Sequence, residues 1–161
     1  MASPALAAAM RVEPGTSEDL HEVMAIMEAA FGDKYGEAWT RSQCAGILPM
    51  AGVSLILARD ARNGETIGFS LSRSVADDCE LLLLAVRPSH HRRGIGTLLL
   101  DHFVEAARAR GVTRLHLEVR DGNPAVEMYR EAGFDPAGRR RNYYHAQSGN
   151  RFDALTLVRN I

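Results

Sequence analysis

The sequence predicts an α/β fold, a single mixed sheet with helices on both sides. Three observations lead there. A strand, helix, strand succession over residues 80–120 calls for a parallel pair joined by a right-handed crossover. Within it, Leu81 to Leu84 are four consecutive leucines, the pattern of a central strand covered on both faces rather than a half-exposed one. The other strand-like runs lie in pairs around turns, which makes the sheet mixed.

Each element has a local reason. Thr16, Ser17, Glu18 and Asp19 have capping-box spacing, and Leu20, Val23, Met24, Met27, Ala30 and Phe31 follow on one helical face. A polar segment, Gly32 to Gly36, precedes Trp39 and Thr40, and Thr40 caps a short second helix running toward Ile47 before Pro49 stops it. Val53–Ala58 and Thr66–Val75, separated by Asn63-Gly64, read as an antiparallel hairpin. Glu80–Val86 is the central strand, ended by Pro88. The amphipathic stretch Ile95, Leu98, Leu99, Phe103, Ala106 and Ala107 makes a helix that Gly111 terminates.

Thr113–Arg120 then alternates, with Leu115, Leu117 and Val119 on one face and Arg114, His116, Glu118 and Arg120 on the other. Asn123 followed by Pro124 opens a short helix that ends at Gly133. Phe134–Tyr144 and Phe152–Val158 read as two further strands around Ser148, Gly149 and Asn150.

The chain has 161 residues and is 46% hydrophobic, enough for one domain that buries roughly two-thirds of its unfolded surface. Residues 1–10 are expected to be a flexible, Ala-rich leader and 11–161 a single domain. Nineteen Lys plus Arg against 20 Asp plus Glu leave no global attraction to nucleic acid or to anionic membrane, so an anionic ligand must be met locally. Cys44 and Cys79, without CxxC spacing, read as packing thiols in a reducing cytoplasm and not as a disulfide or zinc framework. No apolar stretch approaches the roughly 18 residues of a membrane helix.

The segment His91-Arg92-Arg93-Gly94-Ile95-Gly96-Thr97 lies between the central strand and the first turn of a helix. Glycines let a ligand approach the backbone, the first amides of the helix have no partner within it, and its positive end adds to the two guanidinium groups. A diphosphate suits such a place. The loop lacks the GKS or GKT ending of a Walker loop and the third glycine of a dinucleotide fingerprint. Adjacent His90 and His91 have no nearby carboxylate or thiol, and no metal site is expected.

Taken together, ELLLLAVRPSHHRRGIGTLLL and LHLEVRDGNPAVEMYREAGF resemble the GNAT superfamily of acetyl-CoA-dependent N-acetyltransferases, the likeness running from about Leu55 to Val158. It implies a mixed, mostly antiparallel sheet of about seven strands with a central parallel pair. Further motifs, LEVRDGN, MYREAGF, RRNYY and AWT at Ala38–Thr40, are similar to the RimI type, which acetylates the N-terminal alanine of a small-subunit ribosomal protein. Two positions depart from that type: His91 stands where Gln or Arg is usual, and Leu83 where many members have Asn.

The resemblance also implies roles. Leu84, Ala85 and Val86 pair with the pantetheine arm, the backbone of Arg92, Arg93, Gly94, Ile95, Gly96 and Thr97 holds the pyrophosphate, and Asn123 contacts the cofactor. Glu118 is the base, with Glu80 as its rival, and Tyr129 is the acid near the thioester sulfur. Trp39, Tyr143 and Tyr144 lie on the acceptor side. Because neighbouring strand residues face opposite ways, one of the two tyrosines is expected to line the groove. Plainer readings stand beside these: Glu118 as a surface acid facing Arg114 or Arg120, Tyr129 as a core ring, and Arg139 to Arg141 as a solvated patch.

Acetyl transfer to an amine needs a neutral nucleophile, a stabilised oxyanion and a proton for the departing thiolate. Deprotonating an α-amine of pKa near 8 at pH 7 costs about 1.4 kcal/mol, against about 4.6 kcal/mol for a lysine. An α-amine is therefore the easier acceptor for one carboxylate, and a phenol serves a thiolate of pKa near 8.5 only where water is largely excluded. The expected partners are acetyl-CoA and a protein N-terminus, without nucleic acid or membrane, acting as a monomer or weak homodimer. A lysine or small-amine acetyltransferase, and an acyl-CoA sensor without turnover, remain alternatives.

Overall fold

A computed structural model describes residues 2–161. In chain order its elements are α1 (Pro4–Ala9), β1 (Met10–Pro14), a 3-10 turn (Ser17–Asp19), α2 (Leu20–Phe31), α3 (Arg41–Ile47), β2 (Val53–Asp60), β3 (Thr66–Val75) and β4 (Asp78–Val86). After a second 3-10 turn (Pro88–His90) come α4 (Ile95–Ala109), β5 (Arg114–Arg120), α5 (Ala125–Glu131), β6 (Asp135–His145) and β7 (Arg151–Asn160). The strands form one seven-stranded sheet in the order β1-β2-β3-β4-β5-β7-β6. The leucine-rich strand β4 is its middle member, and β4 with β5 is the one parallel pairing in an otherwise antiparallel ladder.

Two helical layers cover the sheet. Leu20, Val23, Ile26 and Met27 of α2 pack with Leu55, Leu57, Phe69, Leu71, Leu83 and Ala85. Opposite, Leu100, Phe103, Val104 and Ala107 of α4 and Tyr129 of α5 pack with Cys79, Leu81, Leu115, Leu117 and Val119. β4 therefore feeds both layers, Cys79 and Leu81 on one side and Leu83 and Ala85 on the other. A plain strand would keep all four on one face, since its side chains alternate with period 2. The change comes from a bulge at Leu82: Leu71 opposes Leu83 whereas Ser72 opposes Leu81. One extra residue reverses the facing of everything beyond it.

The expected capping box at Thr16 forms, and the Thr40 cap is part of a second one. Thr16 Oγ1 accepts from the Glu18 amide and Asp19 Oδ2 from the Thr16 amide, while Thr40 and Gln43 make the reciprocal pair at α3. Arg59, at the end of β2, donates to Glu13 (2.6 Å), Asp19 (2.9 Å), Glu22 (3.0 Å) and Thr66 (2.6 Å). One guanidinium thus ties β1, the 3-10 turn, α2 and β3 to β2, using the several fixed donors that lysine lacks.

The start of the chain differs from the expected loose leader. Ser3 caps α1, Leu6 packs beside Ile56, Val86, Ile95 and Leu99, and Met10 already begins β1. Edge strand β6 is exposed almost throughout and carries Pro136 and three arginines, features that discourage pairing with another sheet.

Candidate active site

The β4/β5 ladder stops early. Paired residues run from Asp78 and Arg114 to Leu81 and Leu117, yet β4 continues to Val86 against β3 and β5 to Arg120 against β7. Beyond Leu81 and Leu117 the two neighbours part, and a cleft of about 810 Å³ occupies the gap. It is lined by Leu82–Val86 and Leu117–Arg120 from the two strands, by His90–Arg92 and Gly94–Thr97 from the loop and the start of α4, and by Trp39, Tyr143 and Tyr144. Leu82 and Leu84 are half-buried and not covered on both faces, because they border this opening. The unpaired edge of β4 presents backbone polar groups into the cleft, a template for an extended ligand bearing amides of its own.

At the loop end, the first bond of α4 runs from the Leu98 amide to the Gly94 carbonyl. Among the described residues, the amides of residues 92–97 donate to no backbone carbonyl. Arg92 (φ 62°) and Gly94 (φ 83°) are both left-handed, an alternation that turns successive N–H groups inward to form an anion-binding concavity. A side chain at 94 would be strained by that φ, and its Cβ would lie 3.2 Å from Leu6. At Gly96 a Cβ would lie 3.1 Å from the Met128 sulfur, so this glycine lets α4 approach α5. His91 Nε2 bonds the Val86 carbonyl at 2.8 Å and fastens the loop to the end of β4. His90 pairs instead with Ser89.

Glu118 is the first residue of β5 beyond the last rung. It faces neither Arg114 nor Arg120. Its carboxylate accepts from Arg140 Nε (2.8 Å) and Thr156 Oγ1 (2.6 Å), and its side chain is only 8% exposed against 62% for Arg140. Glu80, the rival, lies farther back along the ladder with His116 Nε2 3.6 Å away, and His116 Nδ1 contacts Asp78 at 2.9 Å. Tyr129 projects from α5 into the cleft, its ring edge-on to Phe134. Burial, aided by the Glu37 carboxylate, pushes its phenol well above the ordinary tyrosine range. Proton and hydroxyl therefore stay together at every physiological pH.

Both Tyr143 and Tyr144 line the cleft, against the expectation that only one would. Asn142 is left-handed (φ 52°) and the β6/β7 register slips between Arg140 and Tyr144, so the strand alternation is broken here. The two rings meet edge to face at 5.0 Å. Tyr144 donates to the Glu118 carbonyl at 3.3 Å, and burial raises its phenol as well. The arginine run stays exposed, with two of its members paired: Arg139 bridges Asp121 and Asp153, and Arg140 is held by Glu118.

Asn123 borders the cleft with its amide engaged on the protein. Oδ1 accepts from the Ala125 amide (2.8 Å), capping α5, and Nδ2 donates to Glu37 (2.9 Å). Glu37, which no sequence pattern marks, also lies 3.3 Å from Arg120 Nε, in charge contact without hydrogen-bond alignment. Arg120 belongs to the polar face of β5 but is buried, its guanidinium 3.5 Å from the centre of the Tyr35 ring.

Comparison with known proteins agrees with this architecture. The chain is similar to ribosomal protein bS18-alanine N-acetyltransferase of Escherichia coli K12, 39% identical over 98 residues, the match spanning 60% of this chain and 66% of that protein, just under two thirds. The Haemophilus ducreyi protein of the same name matches over 91% of this chain and 97% of its own length at 26% identity. The crystal structure of the Escherichia coli ribosomal-protein-S18-alanine N-acetyltransferase superposes with TM-score 0.84 at 29% identity, covering 94% of each chain. Arabidopsis thaliana NAA60 in complex with acetyl-CoA shares the fold (TM-score 0.79, 20% identity, 94% of this chain and 98% of that one). The model of the acetyltransferase (GNAT) family matches residues 20–134, most of the chain's length, and the protein belongs to that family.

Proposed function

We propose that the protein is an acetyl-CoA-dependent N-acetyltransferase of the cytoplasm that modifies the N-terminal alanine amine of a small-subunit ribosomal protein. The observation that carries this reading is the early end of the β4/β5 ladder. It leaves a diphosphate-sized cluster of unbonded amides at one end of a cleft and a buried carboxylate with a protonated phenol farther in. The similarity to ribosomal-protein alanine acetyltransferases supports the choice of acceptor.

The residues fit the co-substrate. The amides of 92–97, with Arg92 and Arg93, meet the diphosphate, and the free edge of Leu84–Val86 meets the amides of the pantetheine arm. The acceptor amine enters from the side of Trp39, Tyr143 and Tyr144. Its nitrogen lone pair forms a bond to the thioester carbonyl carbon while Glu118 takes the amine proton, directly or through one water. The carbon–sulfur bond then breaks, and the leaving thiolate takes the Tyr129 proton. Transfer of the proton held by Glu118 back through solvent resets both groups.

A phenol held high is a poor acid toward a solvated thiolate. In this cleft, however, the thiolate is deprived of water too, and its affinity for a proton rises in step. Incubation with acetyl-CoA and Ala-initiated peptides, followed by mass spectrometry, tests the reading: one acetyl group on the α-amine is expected. Acetylation only of peptides whose N-terminus is blocked and whose lysine is free would favour the lysine alternative, and no product on either would contradict both.

A further inference from the structure

The loop between α2 and α3 is fastened to the catalytic side of the cleft by three independent devices. Gly36 (φ 73°) presses its backbone on the end of β6, where any Cβ would overlap the His145 carbonyl. Tyr35 is held between the Arg120 guanidinium at 3.5 Å and the Phe152 ring, met edge-on at 5.1 Å. Glu37 places one carboxylate oxygen beside Arg120 and the other on Asn123 Nδ2. The Glu37 and Arg120 side chains are only 10% and 9% exposed.

A buried ion pair loses hydration that its mutual attraction only partly returns, so stability alone is a weak reason for this one. Its position offers another reason. Asn123 bonds Glu37 with its nitrogen and caps α5 with its oxygen, taking the Ala125 amide. The next turn of α5 carries Tyr129. A continuous chain of bonds therefore runs from the acceptor-side loop, through Glu37 and Asn123, to the helix that aims the phenol. We propose that Glu37 is a positioning residue, which locks the 32–39 loop to the N-terminus of α5 and thereby sets where the Tyr129 hydroxyl meets the leaving sulfur. This rests on the acetyl-transfer reading above.

The lock predicts coupling between two residues. Glu37→Gln keeps the size and one acceptor for Asn123 but removes the charge facing Arg120. It should lower kcat at least fivefold and leave the acetyl-CoA Kd within twofold. Tyr129→Phe removes the group that Glu37 positions, so adding Glu37→Gln to Tyr129→Phe should change kcat less than twofold further. Glu37→Asp keeps the charge but withdraws it by one methylene; unable to reach both partners, it should behave like Glu37→Gln, and it serves as the second variant if the first folds poorly.

Trp39, the single tryptophan of the chain, lies two residues along the same loop and reads the lock without any turnover. Acrylamide quenching of its fluorescence should at least double in the Glu37 variants and stay at the wild-type level in Tyr129→Phe. Independent penalties that multiply in the double variant, or quenching unchanged in the Glu37 variants, would overturn the proposal. A wild-type protein that acetylates no Ala-initiated peptide would instead defeat the functional reading, while the quenching result would still decide whether the lock exists.

Discussion

In the proposed reaction Glu118 takes a proton and Tyr129 gives one, and the surroundings of the two side chains differ. Glu118 is shielded from water and its two carboxylate oxygens are engaged by a guanidinium and a hydroxyl, which fix the direction in which the carboxylate faces. Tyr129 has burial and a nearby carboxylate against it, which favours the neutral phenol an acid must be. Replacing Glu118 with Gln, or Tyr129 with Phe, should each lower kcat at least tenfold with acetyl-CoA affinity within twofold of wild type. Steady-state kinetics with calorimetry checks this, and a loss confined to cofactor binding would place the two residues in the wrong role.

At the scale of elements, local chemistry was legible wherever an element's own residues specify it. The Thr16–Asp19 capping box, the hairpin around Asn63-Gly64 and the apolar stripe of α4 could all be read from spacing, and all three form. β1 escaped because MRVEP is short, contains a proline and lies at a sheet edge, held by pairing with β2 and by Arg59. The facing of Tyr143 and Tyr144 escaped because the left-handed Asn142 breaks a periodicity that sequence reading assumes.

α4 also carries a titratable group that should reveal itself. His102 has its Nδ1 buried without a partner among the described residues, and desolvation lowers its pKa below the ordinary value near 6.5. The unfolded chain then binds the proton more readily than the folded one. The stability contributed by keeping His102 neutral is full above about pH 6.5 and is lost as pH falls through the lower, folded value. Urea midpoints should fall more between pH 7.5 and pH 5.5 for the wild type than for His102→Gln; equal slopes would contradict this assignment.

Over the whole molecule, the site is a product of topology more than of any motif. The loop at residues 91–97 could be recognised because its amides, glycines and arginines are adjacent in sequence. The lock built from Tyr35, Glu37, Arg120, Asn123 and Phe152 could not, since its members span more than a hundred positions and only the sheet order brings them together. Arg120 shows the difficulty most plainly: alternation on β5 gives its face correctly, but not that the face is sealed there by a loop from the other end of the chain. The bulge at Leu82 and the end of the ladder at Leu81 are likewise unmarked among four identical leucines. Yet they create the gap into which everything else points.

A crystal structure of the complex with acetyl-CoA tests the central claim most directly. The account predicts diphosphate oxygens within about 3.2 Å of amides of residues 92–97, the pantetheine arm alongside Leu84–Val86, and the thioester sulfur within hydrogen-bonding reach of the Tyr129 hydroxyl. Acetyl-CoA bound outside the β4/β5 gap, or bound in it with the sulfur remote from Tyr129, would contradict the account.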